Sequence, residues 1–121
     1  RNWAKTVLEW NLTSNPELTP FTDRGGCDRC LGAVTVDGDS VIRNPAYYVI
    51  AHASKFVEPG SVRIDSNLFE GLHNVVFLRP DGKKVLIALN DAKNSISFQI
   101  VDKEKTFFAE LNPGATGTWI W

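Results

Sequence analysis

The stretch Val75-Val76-Phe77-Leu78-Arg79-Pro80-Asp81-Gly82-Lys83-Lys84-Val85-Leu86-Ile87-Ala88-Leu89 decides the fold. Two apolar runs, 75–78 and 85–89, flank Arg79-Pro80-Asp81-Gly82-Lys83, which reads as a hairpin loop. Pro80 presets the φ that the second position of a turn requires, and Gly82 can take the positive φ of a bulged loop. The second arm is apolar on both faces, so it is expected to be a central strand covered on both sides. A sheet must therefore grow around it.

Outward from that hairpin, strand signals come at short, regular intervals: 62–65, 95–101, 106–111 and 115–121, separated by turns at 91–94, 102–105 and Asn112-Pro113-Gly114. In the strand beginning at Ser95, Ile96, Phe98 and Ile100 alternate with Ser95, Ser97 and Gln99, the pattern of one inward and one wet face. Upstream, Ala33-Val34-Thr35-Val36 and Ser40-Val41-Ile42-Arg43 flank Asp37-Gly38-Asp39 and predict a smaller hairpin. Asn44-Pro45 starts the single helix, Asn as N-cap and Pro at the first position. That helix is expected over 45–57, with Ala46, Val49, Ile50, Ala53, Phe56 and Val57 as an apolar stripe and Pro59-Gly60 as its stop. At the start, residues 5–13 (Lys5-Thr6-Val7-Leu8-Glu9-Trp10-Asn11-Leu12-Thr13) are β-branched and aromatic enough for another strand, and 14–31 has the Pro and Gly content of a long loop.

One compact domain suits 121 residues that are 43% hydrophobic and 22% charged. A net charge of −1 supplies no basic patch, so nucleic acid is not an expected partner, nor is an anionic membrane surface. No apolar run approaches the roughly 20 residues of a membrane span, and the first residues lack the apolar block of a signal peptide. The chain begins at Arg1 inside what looks like a structured segment, and reads as a piece of a longer protein.

Cys27-Asp28-Arg29-Cys30 has the spacing of a redox motif or of half a zinc site. His52 and His73 are 21 residues apart, unlike a finger pair, so Cys27 and Cys30 read as a disulfide or structural pair bracing the loop, ahead of zinc or thiol redox. No metal or other cofactor is expected. No nucleophile elbow is present, and His52 and Ser54 lie on one short helix pointing different ways, so the histidines read as structural. Glu9 beside Trp10 suggests glycosidic chemistry, but that chemistry needs two carboxylates, and Glu17, Glu58, Glu70, Glu104 and Glu110 fall in loops, turns or an outer strand. Asn11-Leu12-Thr13 meets the glycosylation pattern and is read as coincidental. Trp3, Trp10, Trp119 and Trp121 are core or interface residues by default, with sugar stacking open only for Trp10.

Leu8-Glu9-Trp10-Asn11-Leu12, Gly25-Gly26-Cys27-Asp28-Arg29-Cys30-Leu31-Gly32, Tyr47-Tyr48-Val49-Ile50-Ala51-His52-Ala53-Ser54-Lys55-Phe56-Val57 and Pro59-Gly60-Ser61-Val62-Arg63-Ile64 together resemble glycoside hydrolase family 30, the glucosylceramidase-like group. The likeness runs through Pro80-Asp81-Gly82 to Asn90 and covers essentially the whole chain. It departs at Ala51 and Ala53, where glycine and an aromatic residue are usual, and at 16–24, where a more glycine-rich loop is usual.

The resemblance implies a mainly β fold: an antiparallel β-sandwich of Greek-key or meander type with one α-helix and a remnant strand of a (β/α)₈ barrel. It implies that 1–61 holds the barrel's eighth strand (6–12), active-face loop and eighth helix, and that 62–121 is most of the sandwich, whose remaining strands come from further upstream. The parent enzyme would be a retaining β-glycosidase, secreted to the extracellular space or periplasm, with both catalytic glutamates upstream and a β-glucoside or related glycan as substrate. Its substrate-binding residues here would be Trp10, an apolar wall of the sugar pocket, and, with a weaker claim, Asn11. The expected partner is the catalytic barrel of the same polypeptide. For the isolated piece, 6–12 is expected to pair with a sandwich edge, in cis or as a strand-exchanged homodimer. The competing reading is an independent carbohydrate-binding or adhesion module, which should expose a coplanar row of aromatic rings.

Overall fold

A computed structural model describes residues 6–121, so Trp3 and Lys5 lie outside the described residues. The chain forms two compact units, Arg1–Ile50 and Ala51–Trp121.

In the first unit, β1 (Thr13–Ser14) pairs in parallel with β2 (Val34–Asp37), which pairs antiparallel with β3 (Ser40–Arg43). The β2–β3 turn is Gly38-Asp39, with Gly38 at φ 55°, a conformation open to glycine at little cost. Helix α1 (Pro45–Ser54) comes after Asn44, whose carbonyl accepts the Tyr47 N–H. It crosses the boundary between the units and buries none of its residues.

Two expectations fail here. Residues 6–12 form no strand: Val7, Leu8, Trp10 and Leu12 are exposed, and pairing begins only where Asn11 and Leu12 carbonyls meet the N–H groups of Ala33 and Val34. A strand exists by its neighbours, and among the described residues nothing flanks 6–10 as adjacent strands would in a barrel. The helix also stops at Ser54, short of Val57. Phe56 N–H bonds the Ala53 carbonyl in a tightened turn, Pro59 disfavours a helical Glu58, and Glu58 pairs with Arg79 of the hairpin loop.

The second unit is an antiparallel sandwich. Its larger sheet has the order β4-β5-β6-β9, with β4 Val62–Ile64, β5 Leu72–Leu78, β6 Lys84–Asn90 and β9 Thr116–Ile120. The smaller is the β7–β8 hairpin, Ile96–Asp102 and Lys105–Leu111. The β5–β6 hairpin is central as expected: Arg79 and Lys83 close the loop, Gly82 takes φ 82°, and β6 lies between β5 and β9 with Val85 fully buried.

The core lies between the sheets. Leu72, Val76, Leu86 and Ala88 from one face meet Ile100 and Leu111 from the other, with Phe98 edge-on to Trp119 at 5.4 Å and Phe107 beside Trp121. Ile96, Phe98 and Ile100 face this core and Ser97 and Gln99 face out, the alternation that the sequence shows. Gly117 is required by Trp119, since a Cβ there would stand 2.4 Å from the indole ring.

Candidate functional site

Trp10 and Asn11 lie in the first unit, just ahead of β1. Trp10 is 67% exposed. Its position is set by the two residues after it: Ala33 N–H donates to the Asn11 carbonyl at 3.0 Å, and Val34 N–H to that of Leu12 at 3.0 Å. Gly32 makes this approach possible, because a Cβ there would meet Asn11 Oδ1 at 2.7 Å and Thr13 Cα at 2.8 Å. Gly32 is held in turn by Ser14, whose Oγ accepts its N–H, and by Asn44, whose Nδ2 donates to its carbonyl at 2.8 Å and to Thr35 Oγ1 at 3.0 Å. Ser14, Thr35 and Asn44 are all buried. Asn11 Oδ1 is buried without a hydrogen-bond partner, an acceptor whose desolvation the protein side does not offset.

The connection from β1 to β2 begins with a tight turn in which Asn15 Oδ1 accepts the Thr19 N–H at 2.7 Å. Cys27 and Cys30 are joined by a disulfide in this loop. Gly26 fits against Thr22, where a Cβ would be 2.6 Å from Oγ1. Glu9 is exposed, and no group of three or more His, Cys, Asp or Glu able to hold a metal ion occurs among the described residues. Trp10 is thus an exposed aromatic ring on a backbone anchored through Asn11 and Leu12, a surface that can contact a flat apolar ligand face.

The histidines are elsewhere. His52 Nδ1 hydrogen-bonds Thr118 Oγ1 on β9 at 2.7 Å, and His73 Nε2 bonds Asp91 Oδ2 at 2.6 Å, far out on the surface.

The second unit holds a cleft of about 720 Å³ between the inner face of β5 and β6 and the edge of β7 that no strand pairs among the described residues. Ile64, Leu72, Val76, Leu86 and Phe98 line it, and Lys84, Asp102 and Trp121 close one end. Lys84 Nζ and the Trp121 indole N–H both donate to Asp102, and these two hydrogen bonds hold its carboxyl below the usual aspartate range. The cleft has no signature in the sequence. Each strand's alternation marks its buried face, but not whether another strand lies over that face.

Residues 60–119 match the family model described as the glycosyl hydrolase family 30 beta sandwich domain. The chain is 30% identical over 127 aligned residues to an endo-1,6-beta-D-glucanase of Aspergillus fumigatus, covering 99% of this chain and 26% of that protein. It is 33% identical to the lysosomal acid glucosylceramidase of Mus musculus, covering 93% of this chain and 22% of that protein. A solved endo-β1,6-glucanase superposes with a TM-score of 0.87 at 31% identity, over 99% of this chain and 28% of that one. The chain therefore spans about a quarter of the length of the curated relatives it matches.

Proposed function

Because the chain belongs to glycosyl hydrolase family 30 through its β-sandwich, a non-catalytic domain of such glycosidases, we propose that it is the C-terminal portion of a retaining β-glycosidase acting on β-glucosides. In this reading 62–121 stabilises a catalytic barrel built by the rest of the polypeptide, and 1–61 is that barrel's last strand, active-face loop and helix. The observation that carries it is an unfinished sandwich on a chain that aligns nearly end to end with a quarter of longer hydrolases. The core faces of β4 and β5 open into the cleft at that edge of β7, so strands from elsewhere in the polypeptide complete it. Helix α1 gives independent support. Tyr48, Val49 and Ile50 are exposed although helices this short owe their stability to packing, and the barrel supplies that packing.

The catalytic carboxylate pair comes from the barrel, and Trp10, with Asn11 behind it, forms an apolar wall of the sugar site. The Cys27–Cys30 disulfide supports a secreted parent, since such bonds persist in oxidising compartments. An independent carbohydrate-binding module is less well supported, because it would need a complete sandwich. The experiment compares the full-length protein with the 121-residue chain on an aryl β-glucoside, a β-1,6-glucan and glucosylceramide. The full-length protein is expected to release the β-anomer first and the chain alone to be inactive. Turnover of glucosylceramide would assign a role in sphingolipid breakdown. A full-length protein inactive on every β-glucoside would sink the reading.

A further inference from the structure

The outer face of the β7–β8 hairpin is not accounted for by the core. Its outward residues are Ser97, Gln99 and Val101 on β7 and Thr106, Phe108 and Glu110 on β8, in the cross-strand pairs Ser97–Glu110, Gln99–Phe108 and Val101–Thr106. Phe108 is 79% exposed and Val101 65%. They are diagonal neighbours across the ladder, close enough for an aromatic ring to share one surface. Around Phe108 runs a shallow depression of about 480 Å³ whose rim includes Ser97, Gln99 and Glu110. Ser97 Oγ donates to Glu110 Oε2 at 3.3 Å, which holds the carboxylate beside the ring.

We propose that this face binds a β-linked glucan chain, one pyranose ring stacked on Phe108 and its hydroxyls hydrogen-bonded by Gln99 and Glu110. The inference rests on the β-glycosidase reading and deepens it, by naming a polymer rather than a short glycoside as the substrate class.

The chemistry narrows the occupant. A pyranose ring has apolar C–H faces and an equatorial rim of hydroxyls. It therefore needs an apolar ledge about one ring wide with an amide or carboxylate at its edge, which is what Phe108, Gln99 and Glu110 offer. A folded protein partner would need roughly 800 Å² of well-packed surface, more than six residues on two strands present. Nucleic acid would need cations, and the six outward residues include a carboxylate and no cation. A polymer bound on the β7–β8 face would keep an endo-acting enzyme on its substrate between cleavages.

The test is native affinity electrophoresis of the full-length protein in gels containing soluble β-1,6-glucan, with β-1,3-glucan and xylan in parallel gels. Phe108→Ala is expected to weaken retention by about fivefold to tenfold, Gln99→Ala to weaken it less, and Phe108→Trp to retain it. Aryl β-glucoside kcat/KM and thermal stability should stay unchanged in all three, because these side chains are exposed and act on no reacting atom. If Phe108→Ala proves unstable, Gln99→Ala decides the matter. Equal retention of wild type and variants, or no retention of wild type in any gel, overturns the proposal. Aryl β-glucoside turnover by the wild type reports separately on the glycosidase reading, so the two can fail independently.

Discussion

Asn90 joins three segments of the sandwich, and replacing it with alanine should cost about as much as truncating a core apolar side chain. Its side chain is fully buried at the end of β6. Nδ2 donates to the carbonyls of Asn94 and Leu111, both at 2.8 Å, and Oδ1 accepts the Ala92 N–H at 2.9 Å. Asn90→Ala keeps the backbone bonds to Gly114 and Ala115 but strands two carbonyls and one N–H. A hydrogen bond contributes about 1 kcal/mol net, and of the stranded groups only the Leu111 carbonyl is buried, at a cost of about 1–3, while those of Asn94 and Ala92 can meet water, so the loss should reach roughly 2–4 kcal/mol. That is a large part of the roughly 5–15 kcal/mol typical of a domain. Urea unfolding monitored by tryptophan fluorescence reads it, since Trp119 and Trp121 pack in the same core. The midpoint should fall by about 1–2 M at the slope usual for a small domain. Asn90→Asp sharpens the argument, because its carboxylate would face two carbonyl oxygens and its folded-state pKa would rise. The folded state would then hold the extra proton, and this variant's stability should increase as pH falls, opposite to an ordinary paired aspartate. An Asn90→Ala midpoint within about 0.3 M of wild type would show that the three groups find other partners and that the reasoning is wrong.

In the full-length protein, Trp10→Ala should lower aryl β-glucoside kcat/KM by about 1–3 kcal/mol, the loss of an apolar wall; an unchanged value in a folded variant removes Trp10 from the site. Gly32→Ala should destabilise by about 1–3 kcal/mol and lower kcat/KM as well, because the displaced Asn11 and Thr13 carry Trp10 with them; a thermal melt and the same kinetic assay check both. Asp102→Asn should destabilise most near neutral pH. The folded-state pKa of Asp102 is lowered by Lys84 and Trp121, so its contribution is present above the unfolded value near 3.9 and disappears as pH falls through the lower folded one; a gap from wild type that stays constant between about pH 3 and 7 would contradict this. Separated from the rest of its polypeptide, the 121-residue chain should dimerise by exchange of 6–12 onto a sandwich edge of a second copy; a chain that is monomeric by light scattering both with and without 1–13 would exclude it.

How far the fold is legible in the sequence depends on what each signal encodes. The β5–β6 hairpin can be read because turn chemistry and apolar runs are local: Pro80 and Gly82 shape the loop whatever lies beyond it. The facing of Ile96, Phe98 and Ile100 can be read because strand alternation reports burial directly. Residues 6–12 look like a strand by the same composition, but strand formation needs a neighbour, and composition does not state whether one is present. Asn90 gives no signal, because an Asn in an Asn-Asp turn is ordinary and only the fold shows that its amide reaches Leu111, 21 residues away. Trp10 is marked by family resemblance alone, since one exposed aromatic ring has no periodic signature. The alternation of β8 shows the Phe108 side only as an outer face, and its meaning needs the register that sets Gln99 opposite the ring.

Strand β9 shows why the sandwich is more than an appendage in this reading. Its inner residues, Trp119 with Gly117 beneath it, close the core against Phe98, and its outer residue Thr118 holds His52 near the end of helix α1. Glu58 and Arg79 make a second connection: Arg79 is 13% exposed, and it ties the segment after the helix to the central hairpin. The last turn of a helix that buries none of its own residues is thus fixed to the larger sheet of the second unit. Completing the core by filling the cleft at β7 would therefore stiffen that turn, and in the proposed reading this is a physical route by which the sandwich supports the barrel.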